Sequence, residues 1–124
     1  MAKVKDVSPG NAYAMIKKGA LLVDVRQPRE IARISFYIPD VIEIPLSGFE
    51  QRVQEIPAKR KVIVACKRGN RSMYAARLLM NNGHNRVFNL EHGIIRWEKE
   101  GLPVKSAPKQ SLLSKLMSLF GKKS

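Results

Sequence analysis

One segment of this 124-residue chain combines a nucleophile with the composition of an anion-binding loop. Cys66 directly follows an apolar run with strand character, and the residues after it are glycine, polar or basic: Lys67, Arg68, Gly69, Asn70, Arg71 and Ser72. Open α/β sheets place their ligand sites at the carboxyl ends of strands, which is where this order puts Cys66. A loop of this kind that opens a helix can turn successive backbone N–H groups toward an anion. We therefore predict that residues 67–72 form an anion cradle around Cys66.

The same loop predicts the reactivity of Cys66. A helix dipole and the neighbouring cations Lys67, Arg68 and Arg71 favour a thiolate, and thiols in such surroundings have pKa values of about 3.5 to 7.5 instead of about 8.5. Cys66 is accordingly predicted to be a nucleophile near neutral pH without a separate general base. The alternative is that this lone cysteine is a small, buried core residue.

The two histidines are expected at different distances from Cys66. His84 follows the helix that leaves the loop, so about eleven helical residues at ~1.5 Å each carry it to the far side of the sheet. His92 follows the last predicted strand and lies at the same edge as Cys66. It either lines the entrance of the site or forms a Cys/His pair.

Hydrophobic periodicity predicts the elements that position the loop. Four apolar, β-rich runs alternate with helical segments, an order typical of βαβ units around a mostly parallel sheet. The runs are residues 21–25, 41–44, 61–65 and 86–90. Ser8 and Pro9 predict a helix that Gly19 ends, and Ser47 with Glu50 predicts a capping box for a helix to about residue 55. Two further helices are expected over residues 72–83 and 94–100.

Composition places the chain among single globular domains. Its length suits one hydrophobic core, and 44% hydrophobic with 27% charged residues is close to the globular average. Lys and Arg number 23 against 10 Asp and Glu, a net charge of +13 that favours anionic substrates, nucleic acid or anionic membrane surfaces. Aromatic residues make up 6%, without an interleaved aromatic and basic motif, so no specific nucleic-acid partner is expected.

The last twenty residues have a different composition from the rest. Residues 105–124 carry five lysines and no acidic residue, whereas all ten acidic residues lie in residues 1–104. We predict one domain over residues 1–104, followed by a basic linker and an amphipathic segment. In residues 111–120 the bulky apolar side chains fall largely on one helical face. Three interpretations stay open: packing on the domain or on a second copy, binding to an anionic membrane surface, or no fixed structure.

The numbers of cysteines and histidines limit which disulfide and metal sites the chain can form. They also bear on its cellular compartment. One cysteine excludes an intramolecular disulfide, and two histidines are too few for a zinc cluster of usual spacing. Residues 1–6 lack the apolar run of a signal peptide, and no stretch approaches the roughly 20 apolar residues of a spanning helix. We expect a cytoplasmic protein that uses neither a metal ion nor a cofactor.

The motifs together resemble a single-domain rhodanese, a sulfurtransferase, over about residues 5–104. The resemblance rests on residues 22–26 (LVDVR), 44–46 (IPL), 66–72 (CKRGNRS), 89–94 (NLEHGI), Trp97 and 101–103 (GLP). It implies a rhodanese-like α/β fold with a five-stranded, mostly parallel sheet and helices on both faces. It also implies that Cys66 takes a sulfane sulfur from a donor, holds it as a persulfide and passes it to a nucleophilic acceptor.

The resemblance also gives Asp24 and Arg26 a role. In the family the matching residues help to hold the catalytic loop from behind, and alternation along a strand puts both side chains on one face. The alternative is an ion pair that only stabilises the fold. Trp97 is expected in the core of the last helix, with a place at the border of the site as the alternative.

Loop length and charge bear on the substrate. Four residues separate Cys66 from Arg71, whereas phosphatases with a similar cradle have five, and the smaller ring suits one sulfur atom better than a phosphate. The cations Lys67 and Arg68 favour a doubly negative donor, so thiosulfate is expected in preference to mercaptopyruvate. The acceptor would be cyanide in an assay, or a cellular thiol or carrier protein. A second hypothesis is a persulfide carrier or regulatory binding module with little turnover of its own.

One loop departs from the family. Residues 35–41 read SFYIPDV where a Gly-His-Ile-Pro-Gly-Ala run is usual, which leaves the choice of acceptor open. Phe36 and Tyr37 either make the rim of the site more apolar or fill the space of the missing residues.

Overall fold

A five-stranded parallel sheet forms the centre of the computed structural model, which describes residues 3–107. The strands in chain order are β1 (Lys5–Val7), β2 (Leu21–Asp24), β3 (Ile34–Phe36), β4 (Val41–Glu43), β5 (Val62–Ala65), β6 (Val87–Leu90) and β7 (Val104–Ser106). The large sheet has the order β1-β6-β5-β2-β4, and every neighbouring pair in it is parallel. All residues of β2 and β5 are buried, as expected of central strands covered on both faces.

Helices cover both faces of this sheet, which confirms the predicted fold class. They are α1 (Pro9–Lys17), α2 (Pro28–Arg33), α3 (Asn70–Asn81) and α4 (Gly93–Lys99). Ala75, Ala76 and Leu79 of α3 belong to the core on one face, whereas α1 and α4 pack into the core on the other. Trp97 of α4 is fully buried, and its Nε1 donates to the Pro103 carbonyl at 2.9 Å, so it is a core residue.

Local signals explain where α1 begins and ends. The Ser8 hydroxyl accepts a hydrogen bond from Asn11 N at 3.3 Å, and Pro9 is the first helical residue. Ala12 and Ile16, four residues apart, bury one face. Gly19, with φ 106°, follows the helix in the left-handed region that ends it.

The predicted helix capped by Ser47 and Glu50 is wrong. Two short 3₁₀ segments, Leu46–Gly48 and Glu50–Glu55, occupy this stretch, and no side chain caps either of them. Phe49 and Ile56 are both anchored in the core, and this tertiary packing outweighs the local capping signal. In addition, α3 begins at Asn70, two residues before the expected start at Ser72.

Elements that the sequence did not predict lie around the margin of the sheet. They are β1, α2 and the antiparallel pair of β3 with β7, whose register joins Ile34 to Ser106. Phe36 is buried in the core and stacks edge-on against Trp97, whereas Tyr37 is two-thirds exposed. The strand β7 extends two residues beyond the expected domain end at 104. Residues 111–120 lie outside the described residues, and no helix in residues 3–107 is long and apolar enough to cross a membrane.

Candidate active site

Cys66 lies at the carboxyl edge of the sheet, at the start of the loop that joins β5 to α3. Its side chain is almost fully buried, and Gly69 N donates a hydrogen bond to Cys66 Sγ at 3.0 Å. This turn needs glycine because Gly69 has φ 103°, and the helix α3 begins at the next residue. A backbone N–H and the amino end of a twelve-residue helix therefore both favour negative charge at the sulfur.

A small cavity opens over the sulfur. Its volume is 270 Å³, and it is lined by Cys66, Lys67, Arg68, Asn70 and Arg71. Lys67, Arg68 and Asn70 are exposed and Arg71 is half-buried. In the part of the chain that the structure describes, no acidic residue contributes to the lining. The structure thus brings these five predicted site residues together around one small, positively charged space. Phe36 and Tyr37 do not line it.

Ser72 lies behind the sulfur in a buried polar network. Its hydroxyl is 3.2 Å from Cys66 Sγ and donates to Asn89 Oδ1 on β6. The Asn89 amide nitrogen in turn donates to the Asp6 carboxylate at 2.9 Å and to the Gly69 carbonyl at 3.3 Å. A carboxylate only accepts hydrogen bonds, so Asp6 fixes the orientation of the Asn89 amide. Asp6 and Asn89 meet because the parallel register of β1 and β6 pairs them.

The first residues of α4 support the loop through backbone contacts. Ile94 N donates to the Cys66 carbonyl at 2.9 Å, and Ile95 N donates to the Lys67 carbonyl at 3.2 Å. Gly93 allows this contact, because a Cβ at that position would lie 2.2 Å from the Lys67 carbonyl oxygen. The loop is therefore held by backbone contacts as well as by its own helix.

Arg71 is held by a residue that the sequence did not single out. Its two terminal nitrogens donate to the two carboxylate oxygens of Glu30, both at 2.8 Å. The Arg71 guanidinium, with help from the Gln27 backbone N–H, lowers the pKa of Glu30 to about 2 against the effect of burial. The pKa of Arg71 is raised, first by this hydrogen bond with Glu30 and then by the nearby negative charges of Glu30, Cys66 and Asp24. The pair is ionised over the whole physiological range.

Asp24 and Arg26 form a buried ion pair one strand away from the loop. Arg26 Nη2 and Nε lie 2.7 and 3.0 Å from the Asp24 carboxylate, and both residues are 1% exposed. In residues 3–107 neither side chain forms a hydrogen bond with residues 66–72. Their link to the loop is indirect, because Arg26 Nη1 reaches the Glu30 carbonyl at 3.5 Å and Glu30 holds Arg71. Both predicted interpretations therefore stay compatible with this arrangement.

The histidines lie apart from the sulfur. His84 is buried beyond the end of α3, where its Nε2 is 3.0 Å from the Ile56 carbonyl oxygen. The His92 ring is exposed and lies 3.2 Å from the Glu91 carboxylate. The His92 backbone, with φ 63°, packs beside Gly69. Within the described residues His92 thus contributes its backbone to the support of the loop, and no hydrogen bond joins its ring to Cys66.

Comparison with known proteins agrees with this geometry. The sequence matches the Rhodanese-like domain family over residues 8–100. It is 45% identical over 84 residues to a sulfurtransferase of Allochromatium vinosum, covering 68% of this chain and 77% of that protein. It is 31% identical over 97 residues to the thiosulfate sulfurtransferase GlpE of Pseudomonas syringae, covering 78% and 90% of the two chains.

The fold has counterparts among solved structures as well. A rhodanese-related protein of Thermoplasma volcanium superposes with a TM-score of 0.73 at 31% identity, covering 82% of this chain and 97% of the other. The chain belongs to the rhodanese family. Its family and its relatives identify it as a sulfurtransferase, an enzyme that moves sulfur.

Proposed function

We propose that the chain moves the outer sulfur of thiosulfate to a thiophilic acceptor through a persulfide on Cys66. The observation that carries this proposal is the hydrogen bond from Gly69 N to Cys66 Sγ at the base of the small basic cavity. Here a nucleophilic sulfur lies beside a backbone N–H that donates a hydrogen bond to it. Three cationic side chains line the same cavity. The name of the relative GlpE, a thiosulfate sulfurtransferase, supports the choice of donor.

The first half of the reaction needs only groups of this loop. The Cys66 thiolate attacks the outer sulfur of thiosulfate, a new S–S bond forms, and the original S–S bond breaks. Sulfite leaves with the electron pair of that bond, and the persulfide stays on Cys66 as an anion. The Gly69 N–H and the amino end of α3 stabilise its charge in the cradle. The attacking group is the thiolate form of Cys66, so this step uses no histidine as a general base.

The second half regenerates the thiolate. A thiophilic acceptor attacks the outer sulfur of the persulfide, and the S–S bond breaks with its electron pair on Cys66. Cyanide gives thiocyanate in this step, and a cellular thiol or a carrier protein would receive the same sulfur as its own persulfide. We place this chemistry in the cytoplasm, because a single cysteine that must react as a thiolate suits a reducing compartment.

The charge of the cavity favours thiosulfate as the donor. Lys67, Arg68 and Arg71 surround the cavity, and a dianion gains more from them than a singly charged donor does. Glu30 offsets part of the Arg71 charge, which leaves Lys67 and Arg68 as the exposed cations that meet the donor first.

Thiocyanate formation from thiosulfate and cyanide tests this function. We expect turnover by the full chain and none by Cys66→Ser, whose hydroxyl cannot form the persulfide. Retained turnover in Cys66→Ser would overturn the mechanism. If the full chain took up sulfur without turning over, the protein would instead be a persulfide carrier or regulatory module.

A further inference from the structure

Two neighbouring clefts at the edge of the sheet opposite Cys66 are lined by basic residues. The larger has a volume of 720 Å³, and its lining includes Lys18, Lys59, Arg60, Lys61 and Arg86. The second, of 510 Å³, shares Lys61 and Arg86 and adds Lys3 and Lys5. Among the described residues 3–107, none that lines either cleft is acidic. We call six of these cations the basic edge: Lys3, Lys5, Lys18, Lys59, Lys61 and Arg86.

The fold brings these cations together from separate segments. Leu21 N donates to the Lys61 carbonyl and Val62 N to the Arg86 carbonyl, both at 2.9 Å, so the residues before β5 and β6 lie side by side. All five parallel strands begin at this edge, whereas Cys66 follows the end of β5. At about 3.3 Å per strand residue, Lys61 lies ~17 Å from Cys66. A ligand at the basic edge therefore leaves the sulfur site open.

Structural roles account for only part of this charge. Lys18 follows the last turn of α1, where a cation complements the helix dipole. Arg60, outside the basic edge, is engaged by the Asp40 carboxylate and the Gly19 carbonyl. Lys59, Lys61 and Arg86 precede strands, and none of them is in an ion pair with a residue of the described part of the chain. An anion that enters the cleft would reduce their mutual repulsion.

We propose that the basic edge binds a group of two or more neighbouring phosphates. Lysine is a point-charge binder of phosphate, and the planar fork of Arg86 matches two phosphate oxygens. One phosphate is too small to reach cations on several sides of a 720 Å³ cleft. The described residues that line the larger cleft include no aromatic side chain on which a nucleobase could stack, so recognition rests on phosphate charge. Free polyphosphate and the phosphate headgroups of an anionic membrane share this chemistry.

The test compares two double variants that remove the same charge. Lys61→Gln with Arg86→Gln removes two cations of the basic edge. Arg33→Gln with Lys105→Gln removes one arginine and one lysine that are exposed and line neither cleft. Binding of tripolyphosphate to each full-length protein is measured by calorimetry at constant ionic strength, because salt screens such attraction. Sedimentation with phosphatidylcholine vesicles, with and without phosphatidylglycerol, tests the membrane source.

We expect tripolyphosphate to bind, with affinity about tenfold or more lower in the Lys61/Arg86 variant and within about twofold of the parent in the control. The same pattern on phosphatidylglycerol vesicles alone would support the site and identify lipid headgroups as its ligand. No binding to either probe, or an equal loss in both double variants, would overturn the proposal. Cys66→Ser should bind as the parent does, so this result is independent of the sulfur chemistry.

Discussion

Glu30 and Arg71, 41 residues apart in sequence, form a two-pronged ion pair that joins α2 to the first turn of α3. The Glu30 carboxylate also accepts a hydrogen bond from Gln27 N at 3.0 Å. The same carboxylate therefore caps the start of α2 and binds Arg71. The loop around Cys66 is thereby fastened to α2. The active-site loop depends on tertiary contacts that its own sequence does not reveal.

Glu30→Gln should lower the free energy of unfolding by about 1 kcal/mol at pH 7, because it removes the charge from a partly exposed two-pronged pair. The pKa of Glu30 is about 2 in the folded protein and about 4.3 when unfolded. The stabilisation is therefore complete above about pH 4.5 and is lost as the pH falls toward 2. Urea unfolding of the variant and its parent at several pH values measures the difference.

Glu91→Gln is the matched control, since within residues 3–107 the one ion pair of the Glu91 side chain is with the exposed ring of His92. We expect it to change stability by a few tenths of a kcal/mol at most. A stability difference for Glu30→Gln that stays constant from pH 7 to pH 3 would contradict the role given to this ion pair.

Arg71→Ala should raise the KM for thiosulfate about tenfold or more, because it removes a charged donor from the wall of the cavity. Arg77→Ala makes the same chemical change farther along α3 at an exposed position outside this cavity. Steady-state kinetics of both variants provide the comparison. Equal KM values for the two would show that Arg71 takes no part in donor binding.

Asn89→Leu should destabilise the protein by roughly 2 kcal/mol, because the Ser72 hydroxyl and the Gly69 carbonyl each lose a buried partner. It should also slow sulfur transfer, since both groups border Cys66. Unfolding of Asn89→Leu, Ser72→Ala and the double variant completes a double-mutant cycle. We predict a coupling of about 0.5 kcal/mol or more, and strict additivity would contradict the bond between these side chains.

Gly93→Ala should disturb the catalytic loop. The new Cβ would lie 2.2 Å from the Lys67 carbonyl oxygen, and this backbone contact cannot be relieved by a side-chain rotation. We expect a loss of about 1 to 3 kcal/mol in stability and reduced turnover. Gly10→Ala, where nothing lies within 4 Å of the new Cβ, should be neutral or slightly stabilising. Similar melting temperatures and activities for the two variants would refute the close approach of Gly93 to the loop.

The sequence predicted the central sheet and the reactive loop because both rest on local signals. The runs that became β2 and β5 are continuous and apolar, and the residues after Cys66 carry glycine and positive charge in one stretch. The same residues carry the family resemblance. Pattern analysis could therefore predict four of the five parallel strands. It could also predict β5 before the loop and α3 after it.

The elements and site residues that the sequence did not predict depend on contacts between distant segments. The strand β1 has three residues and buries only Val7, which is too short for a periodic signal. Asn89 became part of the site only when the register of β6 placed it beside Asp6 and behind Ser72. A signal for α2 was present, since Pro28 at the first helical position and Glu30 two residues later are typical of a helix start. The ion pair between Glu30 and Arg71 could not be derived from that signal.

Transfer of one sulfur atom from thiosulfate to Cys66 would change the intact mass of the protein, which mass spectrometry can measure. After incubation with thiosulfate and removal of the excess, we predict a gain of one sulfur atom on the full chain. Cyanide should reverse this gain, and Cys66→Ser should show none. An unchanged mass in the parent protein, or an equal gain in Cys66→Ser, would contradict the persulfide mechanism.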